Sequence, residues 1–117
     1  MTRGKPMTNL ELATSLGSRS TVLGESLASH IKEHGTLVPH VFMTRVLDHV
    51  RTNAGAHESD PEIAAILESL ELGLEAGDRE TRNVISMSFL SEAEREPFYA
   101  TITPLLGPRV RAHYDVG

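Results

Sequence analysis

Helix-starting and helix-ending residues recur along the whole chain, and the stretches between them carry apolar side chains three and four apart. That spacing lines one face of an α-helix and cannot line one face of a strand, so it is the strongest constraint on the fold. Thr8 stands three residues before Glu11, the spacing of a capping box in which each side chain satisfies the other's backbone N–H. Leu10, Ala13 and Leu16 follow and are expected to stop at Gly17. The stretch from Ser18 to Thr21 opens a second helix near 21–34, with Leu23, Leu27 and Ile31 on one face and Gly35 in the left-handed position after its end. Pro39, tolerated in a first turn, begins a third helix over 38–52, along which Val38, Val41, Phe42, Val46 and Val50 recur.

Asn53 to Ser59 reads as the longest loop, too short to separate two domains. Ser59 or Asp60 caps the next helix, Pro61 sits in its first turn, and Ile63, Ile66, Leu67, Leu70 and Leu74 form a stripe that ends at Gly77. Asp78 caps a further helix over 79–93, whose middle, Val84 to Leu90, is apolar or small on nearly every side and belongs at the centre of a bundle. Pro97, Pro104 and Pro108 then divide the tail into short helical pieces, Phe98 to Leu106 and Arg109 to Tyr114. Strict alternation with β-branched residues persists nowhere. The expectation is an all-α, single-domain bundle of roughly five to seven helices. A short-helix N-terminal arm over 1–19 precedes a helical domain over 20–117. The segments 61–76 and 79–93 resemble one HEAT-like pair, whereas a stacked solenoid needs about three such units.

A chain of 117 residues is sized for one domain. It has no cysteine, which excludes disulfides and thiolate zinc sites and suits a reducing compartment. No run approaches the roughly 20 apolar residues of a membrane span, and Met1 to Met7 lacks the apolar core of a signal peptide, so a cytoplasmic protein with no membrane partner is expected. The formal charge of −5 has the wrong sign for an affinity built on phosphate neutralisation, which argues against nucleic acid.

That charge is unevenly placed. Residues 1–57 carry six basic and four acidic side chains, residues 58–117 five and twelve, so the second half holds −7 against +2 in the first. Glu68, Glu71 and Glu75, three and four apart, make one stripe opposite the Ile63, Ile66, Leu70 and Leu74 face, with Leu72 at its edge as an exposed apolar anchor. A solvated helix face accounts for such a stripe as well as a docking surface does.

His30, Glu33 and His34 have the form H-x-x-E-H, and on a helix the two histidines lie about 40° apart, close enough to share a zinc ion with Glu33 as base. A zinc protease also needs a third ligand and a cleft, and the alternative places both histidines at the edge of the core beside Leu23 and Leu27. Nucleophile elbows and phosphate-cradling glycine loops are absent, and no cofactor is implied. His40, beside Pro39, either donates to a carbonyl or carboxylate of the acidic half or lines a pocket with Asp48 and Arg45.

Three segments carry a family resemblance: Leu37-Val38-Pro39-His40-Val41-Phe42-Met43, then Asp78 with Asn83 to Leu90, then Leu106-Gly107-Pro108. Together they resemble an uncharacterised family of small bacterial helical proteins over residues 20–114, while the stretch before Ser20 departs from its pattern. The resemblance implies a compact helical domain of bacterial origin, similar to the immunity proteins of toxin systems, and assigns no catalytic residue. The functional expectation is a non-catalytic, immunity or antitoxin-like domain that presents Glu68, Glu71, Leu72, Glu75 and His40 to a basic protein partner. The alternative is a zinc-dependent enzyme or metal sensor using His30, Glu33 and His34, and the oligomeric state stays open.

Overall fold

Capping and glycine chemistry set the helix boundaries in the computed structural model, which describes residues 5–56 and 60–116 apart from the side chains of 60 and 114–116. Thr8 and Glu11 form the expected box, with Glu11 N–H donating to Thr8 Oγ1 at 3.2 Å and Thr8 N–H to Glu11 Oε1 at 3.1 Å. The helix they start, α1 (Asn9–Arg19), runs through Gly17 instead of stopping there. Gly17 serves packing: its Cα side faces Gly24, where an added Cβ would stand 2.9 Å from the Gly17 carbonyl oxygen. The pair lets α1 and α2 (Thr21–His34) approach backbone to backbone, with Ser20 ending the one and capping the other through Leu23 N–H. Gly35 adopts φ 76° and closes α2 by donating to the Ile31 carbonyl, the geometry a helix end without Cβ permits.

Pro39 is the first residue of α3 (Pro39–Asn53), where its missing N–H costs nothing. The fourth helix, α4 (Asp60–Ala76), turns at Gly77 into α5 (Arg79–Ile85), which Asp78 caps by accepting Thr81 N–H at 2.7 Å. The cap expected of Ser59 or Asp60, and the end of the loop before α4, lie outside the described residues. From α5 the chain continues through a π-helical turn, Ser86–Leu90, into α6 (Ser91–Ala93), so the expected helix over 79–93 exists with one wide turn inside it. Both the backbone N–H and the hydroxyl of Ser91 donate to the Ser86 carbonyl, which fixes that turn. The tail folds as α7 (Tyr99–Ile102), a 3₁₀ turn over Thr103–Leu105, and α8 (Pro108–Val116). All regular structure among the described residues is helical, and no helix there is long and apolar enough to cross a membrane.

The core gathers Leu12 and Leu16 of α1, Phe42 and Val46 of α3, Ile63, Ile66 and Leu70 of α4, and Ile85, Phe89 and Leu90 of the α5 rod. Three faces are rotated from the expected ones. In α1 it is Leu12 that is buried and Leu10 that is 55% exposed, because Leu12, Ala13 and Leu16 form the stripe that enters the core. In α3, Val41 is exposed and Met43 and Leu47 take its place. The α5 rod is central through Val84, Ile85, Phe89 and Leu90, yet it keeps a solvent face on which Met87 is 59% exposed.

The segment before Ser20 is tied into this core. Met7 bridges to the α4–α5 turn, donating to the Ala76 carbonyl at 2.8 Å and accepting from Asp78 N–H at 2.9 Å and the Thr81 hydroxyl at 3.1 Å. With Leu12 and Leu16 fully buried, the short helix of the N-terminal arm, α1, packs as one wall of the bundle.

Candidate functional site

The acidic stripe on α4 divides three ways. Glu71 is drawn away from solvent towards α8, where its carboxylate accepts Arg109 N–H at 3.0 and 2.8 Å and Val110 N–H at 3.0 Å. Pro108 opens α8 without an N–H, so Arg109 and Val110 carry the first unsatisfied donors of the helix, and Glu71 caps them from another element. Gly107 makes the approach possible, since a Cβ there would stand 2.6 Å from Glu71 Oε1. Glu71 therefore leaves the docking set the sequence suggested and acts as the clasp of the tail. Glu68 pairs with Arg19 of α1 at 3.1 Å while its side chain stays 71% exposed. Glu75 is exposed and, among the described residues, has no ion-pair partner, and Leu72 between them is 42% exposed.

His30 and His34 fare differently from each other. The His34 side of α2 is exposed, whereas His30 is fully buried among Phe42 and the α2–α3 corner. Its Nε2 accepts the N–H of Val38 at 2.9 Å. An acceptor Nε2 requires the neutral ring with its proton on Nδ1, and that buried Nδ1 has no hydrogen-bond partner. Burial, reinforced by the His34 ring and the Arg45 guanidinium, holds the imidazole below the usual histidine range, with Glu33 opposing. In this state neither ring nitrogen offers a lone pair to a metal, and Glu33, proposed as a base, is paired with Arg45 at 3.2 Å. Among the described residues no group of three or more His, Cys, Asp or Glu side chains is placed to hold a metal ion. The histidine spacing is thus explained by packing and by one backbone bond.

His40 is exposed and its Nδ1 bonds the hydroxyl of Ser88 in the π-helical turn, so its partner in the acidic half is a hydroxyl instead of a carbonyl or carboxylate. A groove of about 460 Å³ does include Arg45 and Asp48, together with Val22, Ser26 and Thr52, but the histidine lining it is His49. His49 is nearly enclosed, pairs through Nε2 with Glu62 of α4, and has the Asn53 amide 3.3 Å from its Nδ1. No local spacing in the sequence announces this pair, because His49 and Glu62 lie on two helices separated by the loop.

Comparison with known protein families matches residues 23–116 to one of them. The chain belongs to the DUF7674 family, a domain of unknown function. An uncharacterised family is what the three sequence segments implied. No curated protein and no solved structure is significantly similar to the chain. The DUF7674 match takes in nearly all of α2 and everything from α3 to the end of α8, so the clasp of Glu71 and the buried His30 are internal to it. The Met7 strap and α1 lie before it, and the Arg19–Glu68 pair and a 3.1 Å bond between the Ser15 and Ser69 hydroxyls join the two.

Proposed function

We propose that this DUF7674 protein is a non-catalytic protein-binding domain that offers the outward face of α4 to a basic partner. The observation that carries the reading is the composition of that face: Leu72 is 42% exposed, with exposed Glu68 and Glu75 one turn to either side, on a helix whose opposite face is core. An apolar anchor ringed by like charge supplies contact area and a field that selects and steers a cationic surface. Carriage of the acidic excess by the second half of the chain supports the same reading. In a bacterial host the role fits an immunity or antitoxin-like inhibitor, acting in the cytoplasm by occupying a basic surface of its target.

The test is a pull-down from the native host, which should recover a basic protein, followed by binding measurements on that protein. Glu68→Lys with Glu75→Lys should weaken its binding by about tenfold or more and flatten the salt dependence, and Leu72→Ala should speed dissociation. Glu71 is left intact, because altering it perturbs the tail. Binding that is indifferent to all three substitutions removes α4 as the docking face.

A further inference from the structure

We infer that His30 is an acid-sensitive latch on the α2–α3 corner, holding the start of α3 closed while its ring is neutral and releasing it when the ring takes a proton. Val38 is the residue before α3, and no side chain caps that helix. The Val38 N–H is held by His30 Nε2 across eight residues of chain, while its carbonyl accepts Phe42 N–H at 3.0 Å, so one imidazole nitrogen fixes the residue on which α3 is built. A proton on Nε2 turns the acceptor into a donor facing another donor. The bond is lost, and a charge is placed in a site that is 0% exposed to solvent.

The groups around the ring do not rescue that charge. On its own helix His34 lies with its ring centroid 4.5 Å away, and from α3 the Arg45 guanidinium also opposes a positive charge at His30. Glu33 favours it, but Glu33 is already engaged by Arg45. From α3 as well, the Phe42 ring at 5.9 Å offers no oxygen. Relief comes from movement at the corner, where Gly35 to Val38 is the irregular link between the two helices. Opening there lets the charged ring reach water.

Because the open form binds a proton that the closed form resists, the open population should grow about tenfold per pH unit below a pH of about 6.5, down to the value at which the closed form itself protonates. Hydrogen exchange on the full chain, read as protection factors between pH 7.5 and 5, measures it at Val38 and, for comparison, at Ile85. The expected result is a falling Val38 protection with Ile85 unchanged, together with imidazole nitrogen shifts showing a neutral His30 with its proton on Nδ1. His30→Gln, which keeps the position uncharged, should make the Val38 protection factor independent of pH, and the wild-type comparison stands even if that variant folds poorly. A flat Val38 protection down to pH 5 overturns the latch. So does a parallel loss at Ile85, which would mean that acid unfolds the domain as a whole.

Discussion

Both carboxylate oxygens of Glu71 lie within hydrogen-bonding distance of the single backbone N–H of Arg109, at 3.0 and 2.8 Å, although the residues are 38 positions apart. The contact anchors the start of α8, and Val110 behind it is fully buried in the core. Glu71→Ala should therefore cost about 1–3 kcal/mol, the range for losing a charge-assisted bond to otherwise unsatisfied donors. Denaturant unfolding should show the loss, with hydrogen exchange accelerated first at Arg109 and Val110. Glu75→Ala, from the same stripe, should stay within about 0.5 kcal/mol of wild type. Equal effects at the two positions would contradict the clasp.

Two glycines on the α4–α5 hairpin should respond unequally to alanine. At Gly73 the added Cβ meets the far end of the Ile85 side chain at 2.6 Å, which can swing aside. At Gly77 it meets the Gly73 carbonyl oxygen at 2.2 Å and Thr81 at 3.0 Å, and backbone cannot yield so easily. Gly77→Ala should lose about 2–3 kcal/mol and Gly73→Ala about 1 kcal/mol, by melting or denaturant midpoint.

Asp78 sets an acid limit on the same hairpin. The hydrogen bond from the Thr81 backbone N–H, helped by the neighbouring Thr81 hydroxyl and then by Arg82, holds its carboxyl below the usual aspartate range. A depressed folded value means stabilisation that is complete above the unfolded aspartate value of about 4 and fades as pH falls through the folded one. The stability gap between wild type and Asp78→Asn should accordingly be constant from neutral pH to about pH 5 and close below about pH 4. A gap that persists unchanged into stronger acid would mean that the charge of Asp78 contributes nothing.

The His49–Glu62 contact joins α3 to the first turns of α4. With the His49 side chain only 9% exposed, screening is reduced, and a double-mutant cycle with His49→Gln and Glu62→Gln should give a coupling of about 1 kcal/mol at neutral pH. Additive single effects would show that the two helices are held by packing alone.

Much of the architecture is local and was legible as such. Thr8 with Glu11, Gly35, Pro39 and Asp78 each fix a helix end by chemistry within a few residues, and the structure places those ends where the sequence does. The stripe of Ile63, Ile66, Leu67 and Leu70 was equally plain, because a 17-residue helix repeats its face several times. Short helices give fewer repeats. That is why the spacing points to Leu10 in place of Leu12, and why Gly17 looks like a stop when its task is to admit Gly24. The π-helical turn has no residue signature of its own; in it Phe89 and Leu90 are both buried in the core. The three relationships that matter most for the site, Glu71 with Arg109, His30 with Val38, and His49 with Glu62, depend on where separate elements come to rest. An acidic stripe is visible in a sequence, but which of its members is spent internally is not.

The strap at Met7 separates two notions of this domain that usually coincide. Inheritance, as traced by the family match, begins at residue 23. Cohesion reaches back at least to residue 7, where the chain is stitched to the turn before α5, and it includes two fully buried leucines of α1. Cutting this chain back to the matched region would remove that wall and leave the core side of α4 uncovered, so the inherited unit and the cohesive unit are not the same piece of chain.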